Sequence, residues 1–244
     1  MNPRLTLATA DRVLRQIRHD PRTVVLLIVV PCVLIGLLAW VYEGTPVFDQ
    51  IGAPLLGVFP FVVMFLVTSV ATLRERQSGT LERLLTMPLG KGDLIGGYAL
   101  AFGLLAIGQA LVASAFAVWV VGLDVAGPLW LLVLVATVDA LLGTALGLLV
   151  SAFARSEFQA VQFMPAFVLP QFLLCGLLNP RDGLPDVLES VSNVLPLSYA
   201  VDGMRTLAAI PDGTSDVLQD LLIVFGFVIG AVLLGSATLR RRTP

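Results

Sequence analysis

Residues 129–150 read LWLLVLVATVDALLGTALGLLV, and Asp139 is the single ionisable side chain among them. A helix crosses the hydrocarbon core of a bilayer with about 20 predominantly apolar residues. This stretch meets that length, and the pattern returns at 24–42, 55–73, 94–121, 161–178 and 221–239, with 129–153 as its full extent here. Over all 244 residues, 57% are hydrophobic and 13% charged, and mean hydropathy is +0.92. A soluble domain carries roughly twice that share of charge. The sequence therefore describes an all-α membrane protein with six transmembrane helices. The first span reads as retained, because 24–42 is long for a signal-peptide core and LAWVYEGTPVF offers no small-x-small cleavage site. Cys32 and Cys175 both fall inside apolar runs, where they read as small hydrophobes rather than a disulfide or metal pair.

Basic residues fix the expected orientation. Arg4, Arg12, Arg15, Arg18 and Arg22 precede the first span. Arg74, Arg76, Arg83 and Lys91 follow the second, Arg155 follows the fourth, and Arg240, Arg241 and Arg242 follow the sixth. The opposite side holds only Arg181 and Arg205, among Asp182, Asp186, Glu189, Asp202, Asp212 and Asp216. Both termini are expected to be cytoplasmic.

Residues 1–23 form an amphipathic arm, with Ala10, Val13, Leu14 and Ile17 at helical spacing and arginines on the other faces. Asp20-Pro21 ends that helix before the first span. Such an element either lies along the cytoplasmic surface or is a solvated flank that sets topology. Residues 74–93, RERQSGTLERLLTMPLGKGD, are the charged interruption between spans two and three. Ser78, Gly79 and Thr80 are capping residues, LERLLTM supplies about two helical turns, and Pro88 stops them. Leu81, Leu84 and Leu85 share one face. So short a helix is marginal alone in water, and its leucines need a surface on the bundle or on a second protein.

Residues 179–219 are too long and too patterned for a plain connector. Leu184, Val187, Leu188, Val191 and Leu195 repeat helically, as do Leu197, Val201, Met204 and Ala208 after Pro196. Two short helices with a proline corner, folded back against the outer leaflet, fit this pattern, with Asp202 and Arg205 spaced to pair at i, i+3; a solvated cap is the alternative. Small residues at Gly143/Gly147 and Gly226/Gly230 allow close helix approach. Span two places Phe61, Phe65, Thr68 and Thr72 on one face, while span five carries Gln159, Gln162 and Gln171 with Pro165 and Pro170. Such polar groups either line a pathway or hydrogen-bond between helices.

Catalytic machinery is not legible. There is no G-x-x-x-x-G-K-[ST] loop, and the one histidine, His19, precedes the first span, leaving no H-E-x-x-H zinc site and no serine–histidine dyad. Asp139 is the one carboxylate deep in a span. It either borders a pathway or accepts hydrogen bonds from neighbouring helices.

Three features together resemble the membrane subunits of type-2 ATP-binding-cassette exporters, the drug, polysaccharide and lipid export permeases of bacteria. After span two, Glu75, Gly79, Thr80, Leu81, Glu82, Leu84 and Pro88 match that family's E-x-x-x-G-T-L-E-x-L-x-x-x-P pattern. After span five, LLCGLLNPRDGLPDVLESVSNVLPLSYAVDGMR is similar to its outer re-entrant segment, with Pro196, Tyr199, Asp202 and Arg205 in an L-P-x-x-Y-x-x-D-x-x-R tail. The six-span plan with a basic amphipathic N-terminal helix is the third feature.

The resemblance implies one transmembrane domain over 1–244, with 1–23 as the arm, 74–93 as a cytoplasmic coupling helix including Leu85, and 179–219 outside. It implies a bacterial inner or plasma membrane, a second permease copy or paralogue, surrounding membrane lipid, and a separate nucleotide-binding ATPase that binds ATP and magnesium, so that this chain carries no cofactor, metal or catalytic residue and binds no nucleic acid. Spans two and five line the pathway in that family. The substrate class it implies is hydrophobic or amphipathic: a drug, lipid or glycoconjugate. The residues by themselves leave open a non-transporting membrane anchor for a cytoplasmic partner, and a secondary transporter.

Overall fold

Asp20 and Pro21 divide the amino-terminal region into two helices, as the sequence predicts. The computed structural model describes residues 2–78, 90–211 and 213–238. Helix α1 (Pro3–Arg18) starts at Asn2, whose side chain accepts the Arg4 N–H at 3.1 Å. It buries Thr9, Ala10, Val13 and Ile17, which confirms the face read from sequence; Leu14 is half-buried beside it. Asp20 then caps α2 (Pro21–Val41), accepting from the Thr23 hydroxyl at 2.8 Å and the Arg22 N–H at 3.2 Å.

Helix α3 (Val47–Gln77) runs unbroken through Pro54 and Pro60. Both prolines are buried, where packed neighbours compensate for the lost backbone bonds. Helix α4 (Lys91–Phe116) ends in one π turn, Ala117–Val121, stopped by Gly122 at φ +80°. Next come α5 (Leu129–Ser151) and α6 (Glu157–Leu174), the latter capped by the Ser156 side chain. Then follow α7 (Asp186–Ser192), α8 (Pro196–Ala209) and α9 (Thr214–Thr238). The described residues contain helices and no strand.

Five of these helices are long and apolar enough to cross a membrane: α2, α3, α4 with its π turn, α5 and α9. The predicted fifth span, 161–178, corresponds to α6, which is displaced to Glu157–Leu174. Its glutamate and three glutamines dilute its hydropathy, so it is not among the five. Trp40, Trp119 and Trp130 are 73%, 80% and 60% exposed where α2 and α4 end and α5 begins, positions typical of aromatic side chains at a membrane boundary.

Helix α3 is the centre of the bundle, touching α2, α4, α5, α6 and α8. Its seam with α5 is the tightest contact. A Cβ on Gly143 would lie 2.2 Å from the Phe61 carbonyl oxygen, and one on Gly147 would lie 2.6 Å from that of Phe65. Four residues earlier on both helices, Gly57 faces Asp139. The three contacts step in the same direction, so α3 and α5 run parallel. The second small-residue pair behaves differently: Gly226 and Gly230 meet nothing within 4 Å. On α9 that spacing makes no close approach among the described residues.

The two segments after α6 also differ from each other. Helix α8 buries Leu197, Val201, Met204 and Leu207 in the main core, whereas α7 leaves Val187, Leu188 and Val191 exposed.

Candidate functional site

The predicted coupling residues Gly79, Thr80, Leu81, Glu82, Leu84, Leu85 and Pro88 lie outside the described residues. Both flanks of that segment are described, and both are tied to α1. On the first flank, Glu75 in the last turn of α3 is buried, and Arg12 of α1 grips it with two bonds of 2.9 and 3.1 Å. The same guanidinium reaches the Tyr98 hydroxyl of α4 at 3.3 Å. A buried carboxylate is retained where a cation meets it in such a forked geometry. On the second flank, Asp93 in the first turn of α4 accepts the Asn2 N–H at 2.6 Å and the Gly90 N–H at 3.2 Å. Arg12 and Asn2 lie on one short helix, so α1 bridges the two ends of the 79–89 segment.

Further polar contacts hold the end of α3. Arg74 bonds Glu157 of α6 at 2.8 and 3.1 Å and lies 3.8 Å from Asp20. Arg76 donates to the Ser151 carbonyl, and Gln77 to that of Arg155 at 2.8 Å. Arg74 and Glu157 are about half exposed, so their pair orients α6 more than it stabilises the fold. The Thr23 hydroxyl holds the Asp20 carboxyl below the usual carboxylate range.

The predicted pathway residues do not converge on one cavity within the chain. Phe61, Phe65 and Thr68 are fully buried, with Phe61 and Phe65 lying over Gly143 and Gly147 in the α3–α5 seam. Thr72 edges a small cavity of about 40 Å³ between α3, α4, α5 and α9. Gln159 closes the first turn of α6 by accepting the Arg155 N–H at 2.8 Å, and Gln162 is exposed. Gln171 is buried; it donates to the Phe167 carbonyl at 3.1 Å and accepts the Leu197 N–H of α8 at 3.4 Å. Gln171 thus makes a hydrogen bond between α6 and α8.

In the outer motif, Pro196 opens α8, and the Tyr199 hydroxyl donates to the Asn193 carbonyl at 2.7 Å. The expected Asp202–Arg205 pair does not form. Asp202 is paired with Arg181, which also bonds Asn193 and lies 5.3 Å over the Tyr199 ring. Arg205 turns to the Leu177 carbonyl at 3.3 Å. The cause is a turn at Gly176, φ +90°, which brings the Arg181 side chain back beneath it. Desolvation raises the Asp202 pKa, and Arg181 opposes that shift.

Asp139 does not accept the hydrogen bonds that one of its two readings expected. It is fully buried beside Gly57, and among the described residues neither carboxylate oxygen has a hydrogen-bond partner. Sequence reasoning missed Arg12, Asp93 and Arg181 as site residues. The charge was visible in each case, but the partner lies 63, 91 and 21 positions away respectively.

A family model described as ABC-2 type transporter matches residues 4–208. Over 168 residues the chain is 27% identical to the Probable multidrug ABC transporter permease YbhR of Escherichia coli, covering 69% of this chain and 45% of that protein. It is 27% identical over 184 residues to the Linearmycin resistance permease protein LnrN of Bacillus subtilis, covering 74% and 47%. It is 24% identical over 196 residues to ABC transporter G family member 20 of Dictyostelium discoideum, covering 80% and 27%. The chain spans less than half the length of each of these relatives.

Proposed function

The chain belongs to the ABC-2 type transporter family, and from that premise we propose that it is the permease subunit of an ATP-driven exporter, with ATP and magnesium bound on a separate nucleotide-binding subunit. The observation that carries this reading is α1 holding both flanks of residues 79–89, through Arg12–Glu75 and Asn2–Asp93. A segment fixed at both ends to the bundle passes a push from a partner into α3 and α4 together. In this reading Leu81, Leu84 and Leu85 seat in an apolar groove of the ATPase, and Glu75, Gly79, Thr80, Glu82 and Pro88 shape the segment that presents them. The charges around the leucines set register and partner choice more than affinity.

The chain acts as one transmembrane domain over 1–244 and pairs with a second copy or a paralogous permease. The exposed face of α6, with Gln162, Phe167 and Leu173, is available to that assembly, and its pathway carries a hydrophobic or amphipathic substrate. Multidrug and linearmycin-resistance relatives support that substrate class.

Leu84→Asp or Leu85→Asp is the direct test. A carboxylate set against an apolar groove removes burial worth about 1.5–3 kcal/mol and adds a desolvation penalty. The expected result is a chain that inserts normally, loses co-purification with its ATPase and no longer responds to substrate with increased ATP hydrolysis. Survival of both co-purification and stimulation would remove residues 81–85 from the docking face.

We place both termini on the cytoplasmic side of a bacterial inner membrane, with 179–219 outside. Single cysteines at Ser78 and Ser215, in a background lacking Cys32 and Cys175, are expected to react with a membrane-impermeant reagent from opposite sides. Labelling from the same side would overturn the arrangement.

A further inference from the structure

A groove of about 740 Å³ opens where α1 gives way to α2, between α2, α3 and α6. Its wall is apolar, formed by Leu26 of α2, Leu66, Val67 and Val70 of α3, and Val161 of α6. Its rim is charged and carries both signs. Asp20 and Arg22 stand at the start of α2, Arg74 on α3 and Glu157 at the start of α6. The carboxylates are pre-ordered: Asp20 accepts from Thr23 at 2.8 Å, and Glu157 receives two bonds from Arg74 at 2.8 and 3.1 Å.

The depth of the rim follows from the helices around it. Helix α1 is amphipathic and basic, the kind of element that lies at the headgroup level of a bilayer. Beyond Thr23 the chain enters an uninterrupted apolar span. Asp20 therefore marks the boundary between headgroups and hydrocarbon. A molecule filling the groove places its polar group at that boundary and its apolar part deeper along α3, and a membrane lipid is built this way. Its headgroup is constrained by the rim. A purely anionic or purely cationic head set beside one pair of charges is repelled by the other pair, whereas a zwitterion meets both.

We infer that this groove binds a zwitterionic phospholipid from the leaflet on the α1 side. The phosphate faces Arg22 and Arg74, the ammonium faces Asp20 and Glu157, and one acyl chain lies along Leu66, Val70 and Val161. The inference requires that the chain spans a bilayer and does not depend on transport.

The test uses the full chain, purified in detergent and offered phosphatidylethanolamine, phosphatidylglycerol or a cationic amphiphile of equal chain length, with retained molecules weighed by native mass spectrometry. Phosphatidylethanolamine is expected to be retained about tenfold better than phosphatidylglycerol, the factor that one charged contact supplies. Val161→Trp, at a position already 42% exposed, fills the wall and is expected to lower phosphatidylethanolamine retention about tenfold. Glu157→Gln, at a half-exposed site, is expected to abolish the preference between the two lipids while the protein elutes as wild type does. If Val161→Trp does not elute normally, Glu157→Gln decides alone. Equal or better retention of phosphatidylglycerol by the wild type, displacement by the cationic amphiphile, undiminished retention in a folded Val161→Trp, or an unchanged preference in Glu157→Gln each overturns the assignment.

Discussion

Gly143→Ala is expected to lower the stability of the chain by about 3 kcal/mol or more, the upper end of what overpacking costs. The added methyl would stand 2.2 Å from the Phe61 carbonyl oxygen and 2.9 Å from its carbon. Both are backbone atoms of a continuous helix and cannot rotate aside, so α3 and α5 must separate. Separation unpacks Phe61 and Phe65, which are fully buried along the same seam. Gly226→Ala is the matched control. That position meets nothing within 4 Å among the described residues, so only helix propensity changes, in favour of alanine by about 1 kcal/mol at most. Thermal unfolding of both variants in one detergent checks the contrast. Similar midpoints would mean that the α3–α5 seam is not held at this distance.

Arg12→Met is expected to carry the second large effect. It leaves the Glu75 carboxylate buried without its cation, a change that typically costs about 3–5 kcal/mol. Arg12 is itself about a third exposed, so water reaches part of the site and places the cost at the lower end of that range. Glu75→Leu in the same chain removes the stranded charge and should restore most of the loss, because an apolar pair is often as stable as the ion pair it replaces. The readout is a double-mutant cycle on unfolding midpoints, with α1 docking followed by protease access at Arg15 and Arg18. Strict additivity of the two single changes would show that the side chains act independently. If ATP hydrolysis stays coupled to substrate in Arg12→Met, the bridge across residues 79–89 is a structural tie only.

Local chemistry was legible in the sequence where its cause was local. The break at Asp20-Pro21 follows from a capping side chain and a residue without an N–H. The stripe Leu197, Val201 and Met204 follows from helical spacing, and the core it enters needed no further information. Spacing alone could not rank equal patterns. Gly143/Gly147 and Gly226/Gly230 are identical in form, yet among the described residues only the first pair meets another helix, because Gly143 and Gly147 lie on the side of α5 that faces α3, whereas Gly226 and Gly230 lie on a side of α9 that no described helix covers. The Asp202–Arg205 expectation failed for a similar reason. A partner three residues away is reachable, but the turn at Gly176 delivers Arg181 to the same carboxylate with an aromatic ring beneath it. Arg12–Glu75 and Asn2–Asp93 join residues that are distant in sequence, and no periodicity announces such pairs. Asp139 stood out as a lone charge in residues 129–150, but the absence of a hydrogen-bond partner among the described residues is a fact of packing. The same holds for the face of α3 with Phe61, Phe65 and Thr68: the stripe was visible, and its burial against α5 was not.

The parallel seam between α3 and α5 also has a mechanical meaning. Helix α3 has 31 residues and at 1.5 Å per residue is a rod of about 46 Å. With Gly143 and Gly147 notched onto its carbonyls, α5 splints the middle of that rod and stiffens it against bending. A rod so braced answers a push at one end by tilting as a unit. Tilted by about 5°, it displaces one end by about 4 Å relative to the other. The seam thus makes the bundle a lever with a long output arm, and α8, packed against α3, is positioned to move with that arm.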